Sequence, residues 1–370
     1  MTVDLKNTSG GKRAGDFEYF PSGRQIYLAP LPLPTSEHPF CPYISSYSDT
    51  FMDFGGGQPN VFSYQLWLGV PFTGACIVAF GFPLLGAFMG LMLDGNFEKS
   101  LQAMVGIFEA SWGTALLTWL LGSFIFLLVW FQAHNLFTKV IPTRFNRQRR
   151  EVCFMPDGAT EPLFVPWESL SAWVVQAQGA SQYGVTRQYG MGMGFEHEGE
   201  LVRVEFQCGS LQLAISNWEA VRGYMEYELN DLSTLQDPLG LQEPGDPPHE
   251  GLHTFRNPRA GLHRRLREKE VGRIYAFFWY VYHVMTLWTL PNHLVEWEIK
   301  RIAKVGRRAL PPAMQAWSEP LPPEQWAKPS SELLRLSAKV KALIKRHPLT
   351  PITEIYAEVY RNEPHPPCSA

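Results

Sequence analysis

His249-Glu250-Gly251-Leu252-His253 spells H-E-x-x-H, a spacing that on a helix sets two imidazoles one turn apart to share a Zn²⁺ while the glutamate activates a bound water. The surroundings oppose that chemistry. Pro247 and Pro248 precede the motif, Gly251 interrupts it, and Arg256 stands where the longer zinc-peptidase signature needs glycine. His263 or Glu268 would have to serve as third ligand, and neither has the expected setting. The motif therefore reads as a chance match in a solvated linker, with a zinc hydrolase as the remote alternative, and no metal or cofactor is expected. Gly190, Gly192 and Gly194 in YGMGMGF have the look of a phosphate loop. No helix follows at once to offer its N-terminus to a phosphate. Small residues in a strand instead permit a bulge or a close backbone approach. No Ser, His and Asp set can be assembled by spacing, so no catalytic residue is named and the chain is expected not to be an enzyme.

Four arginines, Arg144, Arg147, Arg149 and Arg150, follow closely on an apolar stretch. Such a segment is first an orientation signal; together with Trp167 it is also the candidate surface for contact with lipid or a protein partner. The net charge of -3 excludes a bulk basic excess, so nucleic acid is not an expected partner. Cys41, Cys76, Cys153, Cys208 and Cys368 are scattered without a C-x-x-C pair and read as isolated thiols facing a reducing compartment.

The element that positions everything else is a membrane hairpin. Leu66 to Leu93 and Ala110 to Thr138 each lack Asp, Glu, Lys and Arg. Both exceed the roughly 20 apolar residues that cross a hydrocarbon core about 30 Å thick. Leu116 to Trp130 (LLTWLLGSFIFLLVW) has no polar stripe for water. The spans are placed at 66–93 and 113–137 within a hairpin over 66–138. Mean hydropathy of -0.13 is ordinary for a soluble protein, so most of the chain lies outside lipid. Lys6, Lys12, Arg13 and Arg24 precede the first span, and Lys139, Arg144, Arg147, Arg149 and Arg150 follow the second. The loop between holds Lys99 against Asp94, Glu98 and Glu109. The positive-inside rule then puts both termini in the cytoplasm. Met1 to Tyr19 lacks an apolar core of the signal-peptide kind, so the hairpin is expected to be its own insertion signal. Pro71 and Pro83 inside the first span free backbone groups that need a neighbouring helix or a hydroxyl such as Thr73. His134 is expected near the cytoplasmic interface.

Ile274 to Val295 is a third stretch free of Asp, Glu, Lys and Arg, flanked on both sides by basic clusters and crowded with aromatics. It is readable as an interfacial helix, a helix buried in a soluble domain or a third span, with Pro291 ending its helical run. The remaining layout is a cytoplasmic arm over 1–65 with little regular structure, a juxtamembrane β-rich domain over 140–230, a Pro/Gly linker over 231–262 and a helical region over 263–370. Within the β-rich domain the expected strands are Arg144 to Asn146, Glu151 to Met155, Leu163 to Val165, Ser171 to Gln178, Gln188 to Glu196, Glu200 to Gln207 and Leu211 to Ile215. A helix capped by Asn217 should close them. The fold class is thus a membrane α-helical hairpin plus a cytoplasmic α+β part, a small antiparallel pleckstrin-homology-like domain closed by a helix and followed by helices. Ser330 and Ser331 offer N-caps to a helix whose Leu333, Leu336, Val340, Leu343 and Ile344 share one face. Thr350 and Pro351 open a last helix through Tyr360.

Four stretches taken together resemble an uncharacterised proteobacterial family of two-span membrane proteins: PTRFNRQRREVCF from Pro142, FVPWESLSAW from Phe164, SQYGVTRQYGMGMGF from Ser181 and AISNWEAVRGYMEYE from Ala214. Genes of such families often lie near type VI secretion components and their toxins. The resemblance implies a bacterial inner-membrane immunity or accessory protein whose partner is a toxin, an effector or a secretion component. A membrane-anchored lipid-binding scaffold is the alternative. The family pattern defines no catalytic residues, so none is carried over.

Overall fold

The computed structural model describes residues 12–55, 59–137, 141–156, 158–181, 184–229, 235, 240–247, 249–306, 310–361 and 363. The chain forms two compact units by an interleaved path: Met1–Gly57, Ile141–Pro238 and Leu310–Ala370 make the first, Gln58–Val140 and Leu239–Ala309 the second. This corrects the serial layout of arm, hairpin, β-domain, linker and helical tail. Lys6, Lys139, Arg307, Arg308 and Cys368 lie outside the described residues.

The first unit is antiparallel α+β. Strands β1 (Phe17–Phe20) and β2 (Gly23–Ala29) arise within the expected arm, as do β3 (Ile44–Tyr47) and β4 (Phe51–Phe54). The arm is therefore folded, because its Ile26, Leu28, Met52 and Phe54 are buried and its polar and glycine residues serve the turns between them. Six of the seven strands expected further on are present: β5 (Thr143–Asn146), β6 (Glu151–Phe154), β7 (Leu163–Pro166), β8 (Ser171–Ser181), β9 (Gly184–His197) and β10 (Glu200–Cys208). One sheet has the order β1-β2-β8-β9-β10 and the other β3-β4-β5-β6-β7. The seventh stretch is helical. Helix α4 (Leu211–Met225, numbered after three helices of the second unit) begins at Ser210, whose Oγ accepts from the Leu213 N–H at 3.1 Å. Asn217, the expected cap, is buried in its second turn. Five residues of L-Q-L-A-I fit either period, and the cap decides.

Trp167, Trp218, Tyr224, Phe54, Phe145 and Phe154 fill the centre. The C-terminal helices complete the same core. Short helix α8 (Pro312–Trp317) leads to α9 (Ser331–Arg346), which starts at Ser330, as expected, with Oγ accepting from the Leu333 N–H at 3.1 Å. It buries Leu333, Leu336 and Val340, while α10 (Ile352–Tyr360) buries Ile352, Ile355 and Tyr356. Their apolar faces would otherwise meet water, which is why the tail belongs to the β unit.

The second unit contains two helical runs long and apolar enough to cross a membrane, Val61–Asp94 and Phe97–Gln132. Only 11% and 6% of their most apolar windows are buried, unlike the core helix of a soluble domain. The first run is α1 (Val61–Cys76), a π-helical turn over Ile77–Gly81 and α2 (Phe82–Asp94). The wide turn lies just ahead of Pro83, whose ring and missing N–H would break the regular ladder. Pro71 packs against Gly122 of α3 (Phe97–Phe137), where a Cβ would come within 2.5 Å of the proline ring. The Asn60 side chain caps α1 by accepting from the Ser63 N–H at 2.7 Å.

Three more helices belong to this unit: α5 (His253–Arg267), α6 (Arg273–Met285) and α7 (Leu290–Gly306). The aromatic stretch is thus broken at 286–289, and Pro291 sits in the first turn of α7, where its missing N–H costs nothing, instead of ending the preceding helix. The expected linker gives way to α5 at His253. Tyr64 donates to Glu298, Trp130 Nε1 donates to Tyr64 Oη at 3.1 Å, and the Arg301 guanidinium lies 5.7 Å from the Trp130 ring. The Thr73 hydroxyl donates to the Met285 carbonyl at 3.1 Å, so it serves α6 and not a carbonyl freed by Pro71.

Candidate functional site

The arginines expected at a contact surface are turned inward. Arg144 is 5% exposed; its Nε and Nη2 donate to the two Asp53 carboxylate oxygens at 2.5 and 2.7 Å, and its Nη1 to Ser318 Oγ at 2.8 Å. Burial raises the Asp53 carboxyl above the usual range even against the Arg144 charge. Arg147 donates to the Asp49 carbonyl and carboxylate at 2.9 and 3.0 Å and stacks over Tyr224 and Tyr227. Arg149, half-buried, donates to the Trp317 carbonyl at 2.9 Å. Arg150 donates to Glu226 and Glu168, and Trp167 Nε1 donates to the same Glu226 at 2.8 Å. Trp167 is fully buried and packs on Trp218 with ring centres 5.2 Å apart. The five residues form a cross-braced scaffold for the β5–β6 turn, a correction to their reading as lipid or partner contacts. Arg144 and Arg150 are held by the nearly buried carboxylates of Asp53 and Glu226, which would be costly to leave unpaired.

The H-E-x-x-H residues also take another role. Glu250 Oε2 accepts from the Val61 N–H at 2.5 Å, at the first turn of α1. An acceptor here satisfies a helix N-terminal donor, so the glutamate is turned to a structural task. The His249 and His253 rings are 6.3 Å apart, and among the described residues no group of three or more His, Cys, Asp or Glu is placed to hold a metal ion.

A concave site does exist on the first sheet, and the glycine run makes it. Met191, Met193 and Phe195 alternate into the core, so Gly190, Gly192 and Gly194 share the opposite face. Register sets Tyr27, Trp173, Gly192 and Glu205 in one row and Gln25, Val175, Gly190 and Gln207 in the next. Between Gly190 and Gly194, β9 carries no side chain on that face, leaving a groove of about 460 Å³ walled by β8 and β10. The Trp173 indole lies across Gly192, where a Cβ would meet Nε1 and Cε2 at 2.4 Å. Close backbone approach, the alternative to a phosphate loop, is what these glycines permit.

Two polar atoms in this groove stand out. Trp173 Nε1 and Gln25 Oε1 are buried without a hydrogen-bond partner among the described residues, on side chains of residues only 2% and 4% exposed. Their rows are adjacent, so a donor and an acceptor sit as diagonal neighbours. Unsatisfied buried polar groups are rare because each costs about 1–3 kcal/mol. Arg203 and Glu205, 3.5 Å apart, and Gln188 and Gln207 supply a polar rim. The volume lies within the range of ligand clefts, on the order of 300–1,000 Å³. Gln25 was hidden in the expected arm; the signal for the groove was the G-M-G-M-G alternation, which on a strand leaves one face bare. No protein-family model, curated protein or solved structure matches this chain.

Proposed function

We propose that this chain is a non-enzymatic, membrane-anchored binding protein of the immunity or accessory type linked to type VI secretion toxins, holding a protein partner in the groove over Gly190, Gly192 and Gly194. The observation that carries the reading is the pair of orphaned buried atoms. An indole N–H that lacks an acceptor and an amide oxygen that lacks a donor are complementary to a peptide group, which brings both. An extended segment of the partner is therefore the fitting occupant. The helical hairpin, inserted in the bacterial inner membrane with both termini cytoplasmic, keeps the groove at high effective concentration near a toxin entering or crossing the bilayer. A pore-former or cytoplasmic toxin suits that placement better than one confined to the periplasm. Strands β5 to β10 closed by α4 are read as a pleckstrin-homology-like module; two successive three-stranded runs followed by one helix support that reading.

The test is protection of a bacterial host that expresses the toxin encoded beside this gene. Wild-type protein should protect, and Trp173→Phe or Gln25→Leu should reduce survival at least tenfold at unchanged protein level. A toxin that stays fully lethal beside wild-type protein refutes the immunity role. Undiminished protection by both variants refutes the groove.

A further inference from the structure

We infer that residues 273–295 enter the membrane as a re-entrant wedge, penetrating the leaflet on the side of the hairpin's two ends without crossing, with the acyl chains and phosphates of that leaflet as its partner. The depth comes from bonds within the second unit. Tyr64, Trp130, Glu298 and Arg301 gather at one level of the hairpin, the mixture of aromatic and charged groups that marks a bilayer surface. Below that level, Gly69 and Thr73 lie five and nine residues along α1, about 8 and about 14 Å deeper at 1.5 Å per residue. Tyr282 donates to Gln65 at 3.0 Å, Thr286 Cα lies 3.1 Å from where a Gly69 Cβ would be, and Met285 O accepts from Thr73. The chain therefore descends between Tyr282 and Met285 to near the middle of a core about 30 Å thick. It then returns: Asn292 donates to the Gly251 carbonyl, and Glu298 and Arg301 are back at the Tyr64 and Trp130 level.

Three further observations agree. Helix α6, with 13 residues, is about 20 Å long and too short to span. Its break keeps donors inside, as lipid requires of irregular backbone: Thr286, Leu287, Trp288 and Leu290 N–H groups donate to the carbonyls of Tyr282, Val284, His283 and Leu287. Phe277 and Phe278 are each 62% exposed and Val284 55%, an uncovered apolar face. The last turn of α5, the turn after it and the start of α6 present Arg264, Arg267, Lys269 and Arg273, all exposed, beside Glu268 and Glu270, where phosphates would lie. Parity closes the case against one full crossing. Ala327 N donates to Gln148 O at 2.8 Å within the first unit, so the chain on either side of 239–309 ends on one face of the membrane.

The experiment labels the full-length protein with a membrane-impermeant maleimide in right-side-out and inverted vesicles, read per peptide by mass spectrometry. Arg267→Cys and Lys304→Cys should label from the same side. Val284→Cys and Phe278→Cys, exposed on the protein itself, should label at least tenfold more slowly than Arg267→Cys and reach its rate after unfolding in SDS. Labelling of both at the Arg267→Cys rate would put the segment in water and overturn the wedge. Labelling of Arg267→Cys and Lys304→Cys from opposite sides would show a full crossing and overturn it equally.

Discussion

Replacing Arg144 by Met keeps the unbranched stem of the side chain as far as the Nε position and removes the charge that Asp53 faces. Both partners are nearly buried, at 6% and 8% side-chain exposure, so solvent screening offers little relief. Burial already outweighs the Arg144 charge in setting the Asp53 carboxyl, which makes this pair costly to assemble and costlier to break. Removing one partner of such a pair typically costs about 3–5 kcal/mol, because the other is left buried and uncompensated. Arg144→Met and Asp53→Ala should each fall in that range. The double variant should lose less than the sum by at least about 2 kcal/mol, the mark of a direct interaction in a double-mutant cycle. The assay is hydrogen exchange with mass spectrometry on the full-length protein in detergent, following the peptides that carry β4 and β5. A loss of 3 kcal/mol accelerates exchange about a hundredfold, at about 1.4 kcal/mol per factor of ten. Should Arg144→Met change exchange by less than about fivefold, with no coupling to Asp53→Ala, the pair would not be what joins β4 to β5. The surface-contact role would then regain its standing.

Gly192→Val would drive a side chain into the Trp173 indole, 2.4 Å from the built Cβ; a melting temperature lowered by the equivalent of about 1–3 kcal/mol is expected, with partial recovery in Gly192→Val combined with Trp173→Leu, and an unchanged melt would mean the indole is free to move. Acid should loosen α9 selectively. Burial alone would raise Glu228, but bonds to Arg222 and Lys341 hold it below its ordinary 4.5, and Arg335 and Lys339 hold Glu363 at about 2. A carboxyl depressed in the folded state contributes fully above its unfolded pKa and loses that contribution as pH falls through the folded one. Exchange protection in α9, compared at matched intrinsic rates, should therefore be flat between pH 6 and 5 and decline from about 4.5 towards about 2; protection unchanged down to pH 2 would refute the linkage.

The two apolar runs and six of the strands were legible because each rests on a local pattern, hydrocarbon length for the one and alternation for the other. The end of β10 was not, since Leu211 to Ile215 satisfies both periods and only the Ser210 cap breaks the tie. The fate of the arginines was hidden for a different reason. Position beside a membrane is visible in sequence, whereas Asp53 and Asp49, the carboxylate partners of Arg144 and Arg147, stand on the far side of the hairpin in the chain, and Glu226 and Trp317, which hold Arg150 and Arg149, lie 76 and 168 residues further on. The groove was half visible: three glycines at spacing two announce a bare strand face, but Trp173 and Gln25 join it only through register. The same holds for α9 and α10, whose amphipathic faces could be read but whose destination could not.

Strand β4 ends at Phe54 and pairs with Thr143 of β5, so the whole hairpin occupies the place of a β-turn. During synthesis, β1 to β4 leave the ribosome first and have no sheet partners beyond each other until the two spans have been made and threaded. Insertion must therefore precede completion of both sheets, and α9 and α10 seal the core last. A chain stalled before that point would display apolar edges and Asp53 without its arginine. Such a half-built intermediate is a natural substrate for chaperones and quality-control proteases, which could thereby couple the abundance of the folded two-sheet unit to successful entry into the membrane.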